Sequence, residues 1–211
     1  MSPTLRLAAA TAAVSLLALG ACNRSGGSAT PAADNANNSL ASSSPAVAGA
    51  EDATSAAVGG FSSATTTTAT GFVTAAAISD MYEIAAAKLA RDRSTNPDVK
   101  TFAARMIHDH TASSDKLQGL LSGGGINATP PGDLDERRKG LLNNLQAASP
   151  AGFDKVYVDQ QVAAHQEAST LFKAYADHGD NTALKYFAAK TEPTIEDHLS
   201  MAKAMQKDMA K

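Results

Sequence analysis

Tryptophan is absent, cysteine occurs once, and aromatic residues make up only 5% of the chain. One cysteine excludes an intrachain disulfide and a cysteine-built metal site. No charge of one sign dominates: 18 basic against 21 acidic residues leave a net charge of -3 and a pI near 5.9. That balance gives no electrostatic case for nucleic acid. Alternating apolar runs are also missing, so no segment reads as a β-strand.

The 211 residues suit one ordinary domain, and the first third is unlike the rest. Residues 1–22 carry Arg6, an apolar run from Leu7 to Leu19, and then Leu-Gly-Ala-Cys. This is the pattern of a secretory signal peptide, too short for a stable membrane span. Its end resembles a bacterial lipoprotein signal, which implies cleavage before Cys22 and a lipid on that sulfur. Asn23 rather than Asp follows, so the same resemblance implies an exported, periplasmic protein anchored to the outer rather than the inner membrane. Residues 23–70 are dominated by Ala, Ser, Thr, Gly, Asn and Pro, with Phe61 the only aromatic. Such a segment cannot bury enough apolar area to offset its chain entropy, and it reads as a tether. The expected partner is therefore the membrane, through Cys22, with no nucleic acid and no identifiable protein partner. Residues 71–211 remain as the folded domain.

That domain repeats itself. NPDVKTFAARMIHDH at 96–110 returns as NTALKYFAAKTEPTIEDH at 181–198, with three extra residues that include Pro193. Helices are expected at about 72–93, 97–122, 152–177 and 181–210. Turn signals lie at Ser94-Thr95-Asn96-Pro97 and Gly123-Gly124-Gly125. A short amphipathic helix at 133–147, capped by Asp133, is expected in the long connection. Phe102, Phe172, Tyr186 and Phe187 are expected to supply much of the core's bulk. Two short-turn hairpins joined by one long crossover predict an all-α, ferritin-like four-helix bundle.

If each repeated Asn marks a hairpin turn, side chains at equal distances from it stand at equal height. Glu83 lies 13 positions before Asn96 and His110 lies 14 after it; His165 lies 16 before Asn181 and His198 lies 17 after it. At roughly 1.5 Å per residue each pair is level within about 2 Å. Steps of four and three then decide direction. Val99, Ala103, Met106, His110, Ser113, Leu117 and Leu120 form one seam. Val158, Val162, His165, Ser169, Phe172 and Ala176 form another, and Leu184, Ala188, Thr191, Ile195, His198, Ala202 and Met205 a third. Glu83 shares a less distinct seam with Ala76, Ala87 and Ala90. Glu83, His110, His165 and His198 thus form a candidate metal site of three nitrogens and one oxygen, suited to a single zinc, iron, manganese or copper ion. The bland alternative is a set of buried polar groups that fix register by bonding one another.

Asp80, one turn from Glu83, is a candidate to ligate or to orient a ligand. Asp109 and Asp197 directly precede their histidines and point about 100° away, which suits a supporting role. His108 and His178 fall off the seams and are expected at the surface. The residues Phe72-Val73, Glu83-Ile84, Lys88-Leu89-Ala90, Asn96-Pro97-Asp98-Val99-Lys100, Asp109-His110, Phe153-Asp154, His165, Glu192-Pro193-Thr194 and His198-Leu199 resemble the bacterial domain of unknown function 4142 family. The resemblance covers about 72–205 and implies a ferritin-like fold and an exported location. It implies no reaction.

Glu-x-x-His, the pattern by which ferritin-like di-iron proteins bind two metals, does not occur. No carboxylate lies one turn from any seam histidine, so a di-iron oxidase is not expected. Two classes of function remain. One is a lipid-anchored binding or stress-related module of the cell envelope, with any metal structural; the other is a mononuclear metal-dependent redox or metal-handling protein. No nucleophile with a matched base is recognisable, so no catalytic residue is assigned.

Overall fold

The computed structural model describes residues 67–211. The expected signal peptide, Cys22 and all but the end of the tether lie outside the described residues. Within them the chain forms α1 (Ala69–Arg93), α2 (Pro97–Ser122), α3 (Glu136–Ala147), α4 (Phe153–His178) and α5 (Thr182–Met209), with no strand. The protein is an all-α helical bundle.

Local chemistry sets the helix starts. Both repeated asparagines are N-caps: the Asn96 side chain accepts from the N–H of Asp98, and that of Asn181 from the N–H of Leu184. Thr68 accepts from the N–H of Gly71 and begins α1 three residues before the expected start. The cap of α3 is Asp135, whose carboxylate accepts from the N–H of Arg138, and not Asp133. Asp133 is engaged otherwise, accepting from the adjacent Leu134 N–H at 2.8 Å and pairing with Lys139 at 3.0 Å.

Contacts between helices settle the topology. Phe72 stacks on Tyr175 while Arg93 lies over Phe153, so α1 and α4 are antiparallel. Asp109 meets His198 and Arg105 meets Met201, so α2 and α5 are antiparallel as well. The short turns reverse α2 against α1 and α5 against α4. Helices α1 and α5 therefore run one way and α2 and α4 the other, and residues 123–152 must travel back along the bundle. At one end Thr70 donates to the carbonyl of Asn127 at 3.4 Å. At the other, the Arg93 guanidinium donates to the carbonyls of Leu145, Gln146 and Ala148. Between these ends α3 packs on α1 and α4.

Two apolar clusters fill the interior. One gathers Phe72, Leu171, Phe172, Tyr175, Phe187 and Ile195; the other gathers Tyr82, Phe102, Met106, Phe153, Tyr157 and Leu199. The Phe72 and Tyr175 rings are stacked at 4.0 Å, and Phe172 meets Phe72 edge-on at 5.1 Å. Such pairs add about 0.5–1.5 kcal/mol beyond the area they bury. Tyr186 is not part of this core: it is 66% exposed. One residue along a helix turns the side chain by about 100°, and Phe187 takes the buried direction in its place. Tyr82, Tyr157 and Tyr175 are the buried tyrosines.

Candidate metal centre

The two apolar clusters are separated by a polar layer, to which all four long helices contribute. It contains Ser79, Asp80 and Glu83 from α1, His110 and Ser113 from α2, Gln161 and His165 from α4, and His198 from α5, all buried. Burying so many polar groups is costly unless each has a partner, so their bonding is informative. The three imidazoles face one another, with ring centroids 5.3 to 5.6 Å apart. Each offers one ligand nitrogen, and these three atoms lie within 4.8 Å of one another.

Each ring is held from outside by one hydrogen bond. His110 Nδ1 is 2.8 Å from Asp80 Oδ1, His198 Nε2 is 2.9 Å from Asp109 Oδ2, and His165 Nδ1 is 2.9 Å from the carbonyl of Gln161. The second nitrogen of each, His110 Nε2, His165 Nε2 and His198 Nδ1, is buried and has no hydrogen-bond partner. A carbonyl can only accept, so His165 Nδ1 carries the proton and its Nε2 presents a lone pair. The carboxylates of Asp80 and Asp109 likewise accept from His110 Nδ1 and His198 Nε2. An imidazole whose outer N–H is tied to a carboxylate or carbonyl, with its inner nitrogen free, is the arrangement seen at metal ligands.

Charge follows the same pattern. Burial, with His110 and His198 alongside, holds His165 well below the usual imidazole range. Burial also lowers His198 to about 4, against the opposing pull of Asp109. His110 is pushed down by burial, but the hydrogen bond and charge of Asp80 outweigh it and leave it raised. Asp109 is pushed up by burial, yet hydrogen bonds from His108, His198 and Arg105 bring it down to about 2. His165 and His198 are thus neutral near pH 7, as metal ligands must be.

The fit to a single ion is close. Because the three nitrogens lie within 4.8 Å of one another, a point central to them is no more than about 2.8 Å from each. Bonds of roughly 2.0–2.1 Å then require each ring to move inward by less than about 1 Å. A cavity of about 20 Å³ beside His110 and His198, also lined by Ser113 and Thr194, has room for one water-sized group.

Of the residues singled out from the sequence, His110, His165 and His198 converge. Glu83 lies in the same layer but outside this set of ligand atoms. Its Oε2 accepts from Gln161 Nε2 at 2.6 Å, and its Oε1 is 4.0 Å from His165 Nδ1, the nitrogen already bonded to the Gln161 carbonyl. Burial raises it to about 7, with His110 and Gln161 pulling the other way. Asp80 accepts from His110 and also from Ser114 at 3.2 Å. Asp109 backs His198. The side chain of Asp197 is 73% exposed and stands 3.9 Å from Arg105, away from the rings. His108 and His178 are exposed. The part of Gln161 was not foreseen, although its place four residues before His165, one helical turn, is a signal that could have been read.

Fold and site together define an all-α bundle built around a buried layer of His, Asp and Glu. Residues 53–205 match the family described as Domain of unknown function (DUF4142), and the chain belongs to that family. No curated protein matches the chain. A solved structure titled as a DUF305 fragment from Deinococcus radiodurans is similar in fold, with a TM-score of 0.59 at 11% identity. The match spans 66% of this chain and 95% of that one.

Proposed function

We propose that this protein is a metal-binding module of the cell envelope, in which His110, His165 and His198 hold one divalent first-row transition ion. The observation that carries the reading is the set of three buried imidazole nitrogens that face one another without a hydrogen-bond partner. Histidines that only fixed helix register would bond one another or their neighbours through both nitrogens. Here only the outer nitrogen of each is used. Three imidazole ligands suit zinc or copper ahead of manganese, which favours oxygen ligands. Three protein ligands also leave a coordination position open, as in metal sites that bind water or an exogenous ligand.

Export and lipid attachment complete the proposal. They are supported by the apolar run that ends in Leu-Gly-Ala-Cys22 and by the polar tether that follows it. The metal would then be held on a periplasmic domain tied to a membrane, with the outer membrane favoured by Asn23. Mass spectrometry of the mature N-terminus should find an acylated Cys22. An unmodified Cys22, or an intact Met1, would overturn this part.

Metal analysis tests the site. The full chain, expressed in medium supplemented with zinc, iron, manganese and copper, should carry close to one ion per chain. Chelator should lower its melting temperature, because an ion present at 1,000 times its dissociation constant stabilises the fold by about 4 kcal/mol. Metal-free protein that melts identically with and without chelator would remove the reading.

A further inference from the structure

A groove of about 570 Å³ runs between α2 and α5. Its floor includes Leu120 and Phe187, and Lys116, Lys190, His108 and Tyr186 stand around it. Lys116 and Lys190 are exposed and come from opposite helices. The Lys190 ammonium lies 5.5 Å from the centre of the Tyr186 ring. This groove shares Asp109, Ser113, Thr191 and Thr194 with the 20 Å³ cavity that touches His110 and His198. The two spaces thus border each other at a neck lined by Asp109 and the hydroxyl-bearing Ser113, Thr191 and Thr194, and the inner one touches the histidines. On the opposite side of the bundle, α3 covers α1 and α4.

We propose that this groove is the approach to the metal, and that it delivers a small monovalent anion to the open coordination position. The inference rests on the reading that the three histidines hold an ion. Ser113 identifies the neck as a place where a ligand is met: its hydroxyl is buried, borders both spaces and has no hydrogen-bond partner. A buried hydroxyl normally finds one. The sign of the ligand follows from the two lysines. The two carboxylates at the inner end are already engaged: Asp109 by Arg105 at 3.3 Å, His108 at 2.7 Å and His198 at 2.9 Å, and Asp80 by His110 at 2.8 Å and Ser114 at 3.2 Å. A cleft lined by unbalanced positive charge concentrates anions at its mouth. Its size follows from the inner cavity, which admits a water-sized group. A linear anion can place its terminal atom there and leave its tail in the neck.

Azide is a suitable probe, with cobalt(II) as the reporting ion. The full chain is loaded with cobalt, its bound cobalt is measured, and its visible absorption is followed as azide is added. The wild type should show a saturable change in the spectrum. The surface double variant Lys116→Glu/Lys190→Glu should bind the same amount of cobalt but take up azide about ten-fold more weakly at low salt, with the difference shrinking as salt is raised. Ser113→Leu, which fills the neck, should keep cobalt and lose the azide response. Equal azide affinity in wild type and the charge-reversed variant would overturn the groove. So would a cobalt-loaded wild type whose spectrum ignores saturating azide. A wild type that binds no cobalt overturns the metal reading itself, and bound cobalt per chain tells that failure from the other two.

Discussion

His198 and Asp109 meet across the interface of α5 and α2, with Nε2 and Oδ2 2.9 Å apart. The contact fixes which imidazole nitrogen of His198 points outward and therefore leaves Nδ1 facing His110 and His165. Asp109 is next to His110 in sequence, and the 100° step between adjacent helical residues is what turns it toward α5. One Asp-His pair thus supplies a ligand on α2 and the support for a ligand on α5.

Asp109→Asn keeps the shape and an acceptor oxygen but removes the charge. Metal affinity is expected to fall by roughly 10- to 100-fold, the usual cost of altering a residue that orients a metal ligand. Asp80→Asn should act similarly through His110. Competition titration against a chromophoric chelator checks both. Affinities unchanged within two-fold would show that the carboxylates do not support the ligands.

Glu83 makes a pH prediction in metal-free protein. Its folded value of about 7 lies above its ordinary 4.5, so in that window the native state keeps a proton that the unfolded chain releases. Stability from this group falls as pH rises from 4.5 to 7. His198 acts oppositely: its folded value of about 4 lies below the ordinary 6.5, so stability rises with pH between them. Glu83→Gln removes the first effect and leaves that of His198 in place. Its unfolding free energy should gain on the wild type by on the order of 2–3 kcal/mol between pH 4.5 and 7. Urea denaturation at a series of pH values measures this, and parallel curves would refute it.

Arg93 pins the end of the crossover. Its guanidinium serves the carbonyls of Leu145, Gln146 and Ala148 and lies 4.6 Å from the centre of the Phe153 ring. Arg93→Ala should cost roughly 2–4 kcal/mol, given that hydrogen bonds to charged groups contribute about 1.5–3 kcal/mol each and these are partly exposed. Amide hydrogen exchange should quicken across α3 more than across α2. A uniform change over all helices would contradict a local pinning role.

Much of this bundle is legible in its sequence because its helices are long and regular. With Asn96 and Asn181 as turns, equal distances along the chain set the heights of His110, His165 and His198, and steps of four and three set their inward direction. The same counting could not resolve Glu83, whose helix is apolar over a wide arc: its height is that of the layer, but its carboxylate is taken by Gln161. Arg138 was not legible at all. It is 2% exposed, its guanidinium 3.2 Å from Glu167 and 5.6 Å from the centre of the Tyr82 ring. Arginine in a short polar helix ordinarily signals solvent, and only the packing of α3 on α1 and α4 buries this one. Tyr186 fails in the opposite sense, because composition counts aromatic bulk without saying which face of a helix holds it.

Anomalous diffraction from crystals of the full chain grown with zinc or cobalt tests the central claim most directly. The expected result is one strong peak per chain, at roughly 2.0–2.1 Å from His110 Nε2, His165 Nε2 and His198 Nδ1. The peak should vanish in crystals of His165→Ala. A wild-type map with no peak among these three nitrogens, while the metal sits on surface histidines such as His108, would contradict it.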